Sequence, residues 1–243
     1  MKQNKYDDEV FFDKYSKMTR STQGLAGAGE WKTLEAMLPD FGGKRVLDLG
    51  CGYGWHCQYA IEHGAQSVTG VDISEKMLAV AAQKTDPAIQ YLHMAIEDVN
   101  FAPDAFDSVI SSLAFHYIPS FEDIVSKVSG CLSTGGDFVF SVEHPVFTAH
   151  GSQDWCHDEQ GAIRHFPVDR YFIEGQRDTS FLGENVVKYH RTLTTYLGAL
   201  LRGGFELTGV VEPQPAEHLL QTVEGMREEL RRPMMLIIAA RKK

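Results

Sequence analysis

The sequence predicts an α/β protein built on a mostly parallel sheet, and three observations predict it. From Lys44 to His144, short β-rich apolar runs alternate with helical patterns, the signature of βαβ units. The first of these runs ends in a glycine-rich loop that opens a helix. The second ends in an acid, placed where nucleotide-binding α/β folds use one.

An aromatic, mixed-charge segment from Tyr6 to Arg20 leads into a glycine-broken stretch and a helix over Gly29–Leu38, closed by Pro39. Strands follow at Arg45–Leu49, Ser67–Asp72, Ile89–Met94, Phe106–Leu113 and Asp137–Val142. Helices fall near Trp55–His63, Glu75–Lys84 and Phe121–Leu132, and Gly135-Gly136 makes the turn before the fifth strand. Pro145 to Lys188 has no clear period and is rich in aromatics, histidines and Asp. Connections this long commonly carry lids or binding surfaces. A helix then runs over Thr192–Arg202 and breaks at Gly203-Gly204, and a strand covers Phe205–Glu212. After Pro213 a helix through Ala216–Arg231 and a last strand, Met234–Ala240, complete the pattern.

A chain of 243 residues suffices for one large α/β domain. Its net charge of -10 argues against nucleic-acid partners, since phosphate neutralisation needs clustered Lys and Arg and the basic cluster is the Arg241-Lys242-Lys243 tail. Residues 1–10 are polar and charged, without the apolar centre of a secretion signal, and no run reaches the length of a membrane span. Cys51, Cys57, Cys131 and Cys156 form no Cys-x-x-Cys pair, which reads as reduced thiols in a cytoplasmic protein. No metal is expected, because His150, His157, His165 and Cys156 match no tetrahedral ligand spacing.

The sharpest motif is Val46-Leu47-Asp48-Leu49-Gly50-Cys51-Gly52-Tyr53-Gly54. Its glycines let the chain turn tightly and bring backbone close to a ligand at the carboxyl edge of the sheet. A dinucleotide fingerprint would need glycine where Trp55 stands, which weighs against NAD. Asp72, at the end of the second strand, is placed to accept hydrogen bonds from both hydroxyls of a ribose.

The stretch from Arg45 to His144 resembles the class I S-adenosylmethionine (SAM)-dependent methyltransferases, in particular a small-molecule branch similar to quinone-biosynthesis enzymes. Four segments carry the resemblance: residues 46–54, Gly-Val-Asp-Ile-Ser-x-x-Met-Leu at 70–78, Glu-Asp-Val-x-Phe at 97–101 and Ser-Ser-Leu-Ala-Phe-His-Tyr-Ile at 111–118. It implies a Rossmann-like fold with a seven-stranded mostly parallel sheet, order 3-2-1-4-5-7-6, last strand antiparallel, with helices on both faces. It also implies SAM as cofactor, methyl transfer to a small-molecule acceptor and release of S-adenosylhomocysteine. Gly50, Cys51 and Gly52 would approach the methionine part by backbone, and Asp48 would anchor the loop or meet the amino group. Asp72 would hold the ribose, with Ile73 and Met77 flanking adenine and Ala95, Ile96 and Glu97 at its edge. Ser111 would offer its carbonyl near the amino group. Related enzymes often carry Asp at the position of Ala95, so here the adenine amine is left to Glu97 or to backbone. Tyr15 and Arg20 resemble a lid tyrosine and an arginine that pairs with the SAM carboxylate; the segment reads equally as an amphipathic packing helix.

A catalytic base is optional, because the cofactor carries the hard chemistry. The candidates are His116 after the fourth strand and Glu143 and His144 at the end of the fifth, all on the ligand-binding edge. They read also as a packing histidine and a strand-end turn fixed by Pro145. Trp155, Tyr171 and His190 are the candidate acceptor contacts. The chain divides into lid helices (1–40), SAM-binding core (41–144), substrate-pocket insertion (145–190) and the C-terminal part of the sheet (191–243), in a monomer or homodimer. The alternative function is a non-catalytic SAM-binding sensor or partner protein.

Overall fold

The structure, a computed structural model, describes residues 2–223 and 225–243. Its strands are β1 (Arg45–Leu49), β2 (Ser67–Asp72), β3 (Gln90–His93), β4 (Phe106–Ser112), β5 (Leu132–Glu143), β6 (Cys156–His157), β7 (Ile163–His165), β8 (Gly175–Phe181), β9 (Glu184–His190), β10 (Phe205–Val211) and β11 (Met235–Lys242). Its α-helices are α1 (Glu9–Ser16), α2 (Thr19–Thr22), α3 (Trp31–Met37), α4 (Trp55–Glu62), α5 (Glu75–Lys84), α6 (Phe121–Cys131), α7 (Pro145–Thr148), α8 (Leu193–Arg202) and α9 (Glu217–Thr222). Seven strands form one sheet in the order β10-β11-β5-β4-β1-β2-β3. The pairs among β1 to β5 are parallel, and β11 runs antiparallel to both β5 and β10. This is the expected 3-2-1-4-5-7-6 order with its last strand reversed.

Alternation along each strand divides the core between two faces. Leu47, Leu49, Val109, Phe138 and Phe140 pack with α6 and α8 on one face. Val46, Val68 and Ile110 pack with α4 and α5 on the other, and Val139 and Ile237 with α3. Covered on both sides, the central strands read as continuous apolar runs. Phe121, at the first turn of α6, anchors the first face, its ring 4.9 Å from Tyr196 and 5.4 Å from Phe140 between centroids. At the opposite end of the sheet Arg45 holds Asp107 with two side-chain bonds of 2.9 and 2.7 Å.

Three sequence expectations are corrected. The fifth strand begins at Leu132, and the glycine turn lies inside it as an irregularity: Gly135 has φ 77°, and the register against β4 slips between Phe106 and Ser108. The long helix through Ala216–Arg231 is instead the short α9, then Gly225 at φ 77° and a 3-10 helix over Met226–Arg231; position 224 lies outside the described residues. The aperiodic stretch from Pro145 to Lys188 contains α7, the small β6–β7 pair and a regular hairpin, β8–β9. That hairpin is hidden in the sequence because its inward positions are mostly polar: Arg177, Thr179, Lys188 and His190 beside Val186. Its turn, Leu182-Gly183, has φ 55° and 77°, where Asn-Gly or Asp-Gly would have been the recognisable pair. Among the described residues no helix is long and apolar enough to cross a membrane.

Phe121→Ala is expected to cost about 3–5 kcal/mol of folding stability, read by urea denaturation with an unchanged slope. A loss below about 1 kcal/mol would show that the aromatic cluster can collapse around the cavity.

Candidate active site

The carboxyl ends of β1, β2, β4 and β5 open into a cavity of about 460 Å³, within the roughly 300–1,000 Å³ range of small-molecule sites. The N-terminal segment covers it. Asp7 accepts the Ser74 hydroxyl at 2.6 Å and the Lys76 amide at 3.1 Å, fastening the segment to the start of α5. Gln3 accepts the Val187 amide at 2.8 Å and donates to the Val187 carbonyl at 3.2 Å, extending the β9 edge. Tyr6, between these two ties, packs edge-on against Tyr15 and Phe11 at 5.1 Å.

One half of the cavity is built by the β1 and β2 tips. Gly50, at φ 78°, makes the reversal after β1; a Cβ there would lie 2.5 Å from that of Ala114. The amides of Gly50 and Cys51 both donate to the Val71 carbonyl, at 2.8 and 3.0 Å, and the Gly52 amide donates to Asp72 Oδ2 at 2.8 Å. These N–H groups stitch the loop to β2, and Gly50 and Cys51 line the cavity. Asp72 lines the cavity, with Ile73, Met77, Ile96 and Glu97 beside it. Burial raises its carboxyl despite the amide bonds from Ser74 and Gly52. Arg20 lines the same half and donates to Glu30 Oε1 at 2.8 Å. Glu30 is only 2% exposed, so the guanidinium is held by a buried carboxylate. Next to it the Trp55 indole N–H is buried without a partner among the described residues. Burial pushes His56 down to about 4, leaving it neutral.

These groups fit the cofactor implied by the resemblance. Asp72 suits a ribose diol, Ile73, Met77 and Ile96 suit a flat base, and Arg20 with the orphan Trp55 N–H suits a carboxylate. Cys51 presents no chemistry of its own, since burial pushes its thiol up to about 11.

The other half is formed by the β4 and β5 ends and the β8–β9 hairpin. Burial pushes His116 down to about 4, and the Glu143 amide donates to its Nδ1 at 3.4 Å. A neutral ring so engaged carries its proton on Nε2. Burial works to raise the Glu143 carboxyl, but the Lys188 ammonium and the Gln153 amide outweigh it and hold it below the ordinary value. Lys188 Nζ lies 2.5 Å from Glu143 Oε1. Tyr117, beside His116, reaches the Tyr6 hydroxyl at 3.5 Å.

Of the residues singled out in the sequence, Tyr15, Arg20, Gly50, Cys51, Asp72, Ile73, Met77, Ile96, Glu97, His116 and Glu143 line this cavity. Asp48 lies beneath the loop, accepting the Cys57 thiol at 3.3 Å. Gly52 faces Asp72, and Ala95 caps the 3-10 turn over Ile96–Asp98. The Ser111 hydroxyl donates to the Leu49 carbonyl at 2.6 Å, and Ser112 is the serine on the wall. His144 is a helix cap: its Nδ1 accepts the Val146 amide at 3.0 Å and its Nε2 lies 2.8 Å from Glu212 Oε1. Trp155 packs under Arg231 and Arg232, and the Tyr171 hydroxyl accepts the Leu193 amide at 3.1 Å. His190 bridges Thr148 and the Tyr171 carbonyl at 2.8 Å each. These last four stand outside the cavity wall. Sequence reasoning missed Tyr6, Gln153, Phe181 and Lys188, which line it. Tyr117 sat inside a quoted motif and could have been taken with His116.

A family model described as a methyltransferase domain matches residues 47–140. A solved structure of a putative SAM-dependent methyltransferase from Listeria monocytogenes is 57% identical, covers 90% of this chain and 99% of its own, and superposes with a TM-score of 0.86. A SAM-dependent methyltransferase from Mesorhizobium loti is 46% identical, with 90% and 100% covered and a TM-score of 0.83. An uncharacterized protein of Haemophilus influenzae is 34% identical over 98% of this chain and 96% of its own. A tRNA U34 carboxymethyltransferase from Methylococcus capsulatus matches over only 45% of this chain, at 36% identity, and the chain spans about a third (35%) of that enzyme.

Burial raises the Asp48 carboxyl to about 7, with the Cys57 thiol bond offsetting it only in part. The folded chain thus keeps a proton that the unfolded chain releases near 3.8. That contribution stabilises at low pH and is lost as pH rises through the folded value. Asp48→Asn removes this titration, so the variant should gain stability relative to its parent between 3.8 and about 7 and hold a constant difference above. Thermal denaturation across that range tests it; a pH-independent difference would mean that Asp48 titrates normally.

Proposed function

This chain belongs to the SAM-dependent methyltransferase family, and on that premise we propose that its acceptor is a small molecule held between His116, Tyr117, Glu143 and the β8–β9 hairpin. The protein is an enzyme and its cofactor is SAM, whose sulfonium supplies an already activated methyl group. The observation that carries the acceptor reading is the shape of the site. One covered cavity runs from Asp72 and Met77 to Lys188 and Phe181, beneath a segment tied down at both ends. Enclosure of this kind excludes water and fixes two reactants in line. It suits a molecule that enters whole, and the acidic balance of -10 likewise disfavours RNA.

In this reading Asp72 holds the ribose, Ile73, Met77 and Ile96 sandwich adenine, and Glu97 meets its edge. Glu30 orients Arg20 toward the methionine carboxylate, with the Trp55 N–H as a second donor. Tyr15 closes the wall above. His116 and Glu143 act on the acceptor by positioning, and the ring proton on Nε2 makes His116 a donor rather than a base. Residues 1–40 serve as the lid and 145–190 as the acceptor-pocket insertion of a single domain.

Calorimetry with SAM tests the cofactor half: Asp72→Ala should weaken binding at least tenfold, about 1.4 kcal/mol, and binding indifferent to the change would overturn the assignment. For the acceptor half, labelled SAM incubated with a small-molecule cell extract and with total RNA should mark the former. Label confined to RNA would refute the small-molecule reading.

A further inference from the structure

We infer that the acceptor is a compact phenol or enol bound as its oxygen anion, with Lys188 holding that oxygen. The inference rests on the proposal that the cavity beyond the cofactor takes a small acceptor, and it comes from an accounting of donors and acceptors in that half.

An ammonium carries three donors and no acceptor. Lys188 gives one to Glu143 Oε1 at 2.5 Å and one to Gln153 Oε1 at 2.9 Å. The third has no hydrogen-bond partner among the described residues; Nζ lies 5.6 Å from the Phe181 ring centroid and 6.0 Å from that of Tyr117, and Lys188 lines the cavity. Its side chain is 4% exposed, so bulk water does not satisfy it. The acceptors around it are each engaged at least once. Glu143 Oε2 takes the Gln153 amide at 2.7 Å, and Gln153 Oε1 takes the Thr179 hydroxyl at 3.0 Å besides Lys188. His116 has its Nδ1 engaged and a donor on Nε2. The remaining carboxylate on this wall, Asp154, is exposed at the rim. The half-site therefore offers a free donor, while the carboxylate beside it, Glu143, already has its charge balanced by Lys188.

This polarity sorts acceptor classes. A protonated amine would meet the Lys188 ammonium with no free carboxylate nearby, and it would have to give up a proton to a base that is not there. An oxygen anion completes the third donor of Lys188. Having shed its proton to water on binding, it needs no general base, which agrees with a His116 that donates. The walls are aromatic: Tyr6, Tyr117, Phe147 and Phe181 line the same cavity, and rings of this kind favour a flat ligand. Gln153 and Glu143 are positioning residues. They fix Lys188 Nζ between them, so that the free donor has one direction to point.

The test uses 4-nitrophenol as probe, with S-adenosylhomocysteine present, at a pH below the probe's own pKa. The protein should draw the bound probe into its phenolate form, seen as the phenolate absorption band, and should bind it at least about tenfold more tightly than 4-nitrobenzylamine. Lys188→Met should abolish the band. Since that change leaves Glu143 buried and unpaired, the double variant Lys188→Met with Glu143→Gln serves as the folded control and should lack the band too. Absence of the band in the parent protein, tighter binding of the amine, or a band that survives in both variants would each overturn the inference. Calorimetry with S-adenosylhomocysteine on the same samples separates the two levels. Intact binding without a phenolate band refutes this inference alone, whereas no binding in the parent refutes the cofactor reading beneath it.

Discussion

The site depends first on the way the loop after β1 is sewn to β2. Three consecutive amides, from Gly50, Cys51 and Gly52, are spent on the Val71 carbonyl and the Asp72 carboxylate. That fixes the loop, but it also fixes Asp72, whose two oxygens are aimed by the Gly52 and Ser74 amides. A carboxylate buried this way keeps spare lone pairs on a chosen side. Loop and acid are thus one device rather than two motifs. Gly54 shows how little room the device leaves: a Cβ there would fall 2.1 Å from the Tyr91 hydroxyl.

The acceptor half is organised on a different principle. There, charge is buried as a pair, and an ion pair out of water is weak support for stability. Lys188 and Glu143 come from separate elements, one from the hairpin and one from the end of β5, so the pair fixes how the hairpin sits over the sheet. Gln153 then joins both partners through its amide. The polar interior of β8–β9 is consistent with this role. Of its inward residues, Lys188 lines the cavity, while Arg177 donates to the Ala149 carbonyl and Thr179 to Gln153.

This contrast explains what the sequence did and did not disclose. The core was legible because β1 to β5 are apolar runs punctuated by glycine and acid, and local chemistry alone demands those residues. Asp72, placed by its position after the second strand, and Ile73, Met77, Ile96 and Glu97, placed by the resemblance, all line the cavity. The hairpin was illegible because its inward face is polar and its turn holds a leucine at positive φ. His144 read both as a candidate base and as part of a strand-end turn fixed by Pro145, and it is the latter, the cap of α7. Adjacent Glu143 and His144 leave the strand in opposite senses, one into the cavity and one toward Glu212. Periodicity places both at the edge, but only the three-dimensional path separates them. Trp155, Tyr171 and His190 failed similarly: each is aromatic and lies in the insertion, but each is used to hold the insertion together.

The N-terminal segment joins the two halves into one functional unit. Asp7 binds the start of α5, directly after the strand that carries Asp72, while Gln3 binds β9 one residue from Lys188. Lys14 adds a third tie, donating to the Leu182 carbonyl at the hairpin turn at 2.9 Å. The bonds to Asp7 and Lys14 involve charged groups, each worth about 1.5–3 kcal/mol, and Phe11, 1% exposed, packs the segment into the body. Its ties are thus shared between the cofactor side and the acceptor side. Tyr6, packed against Tyr15 and touching the Tyr117 hydroxyl, spans the two sides. Tied to both walls, the cover keeps water from the space between them, which is the condition methyl transfer needs.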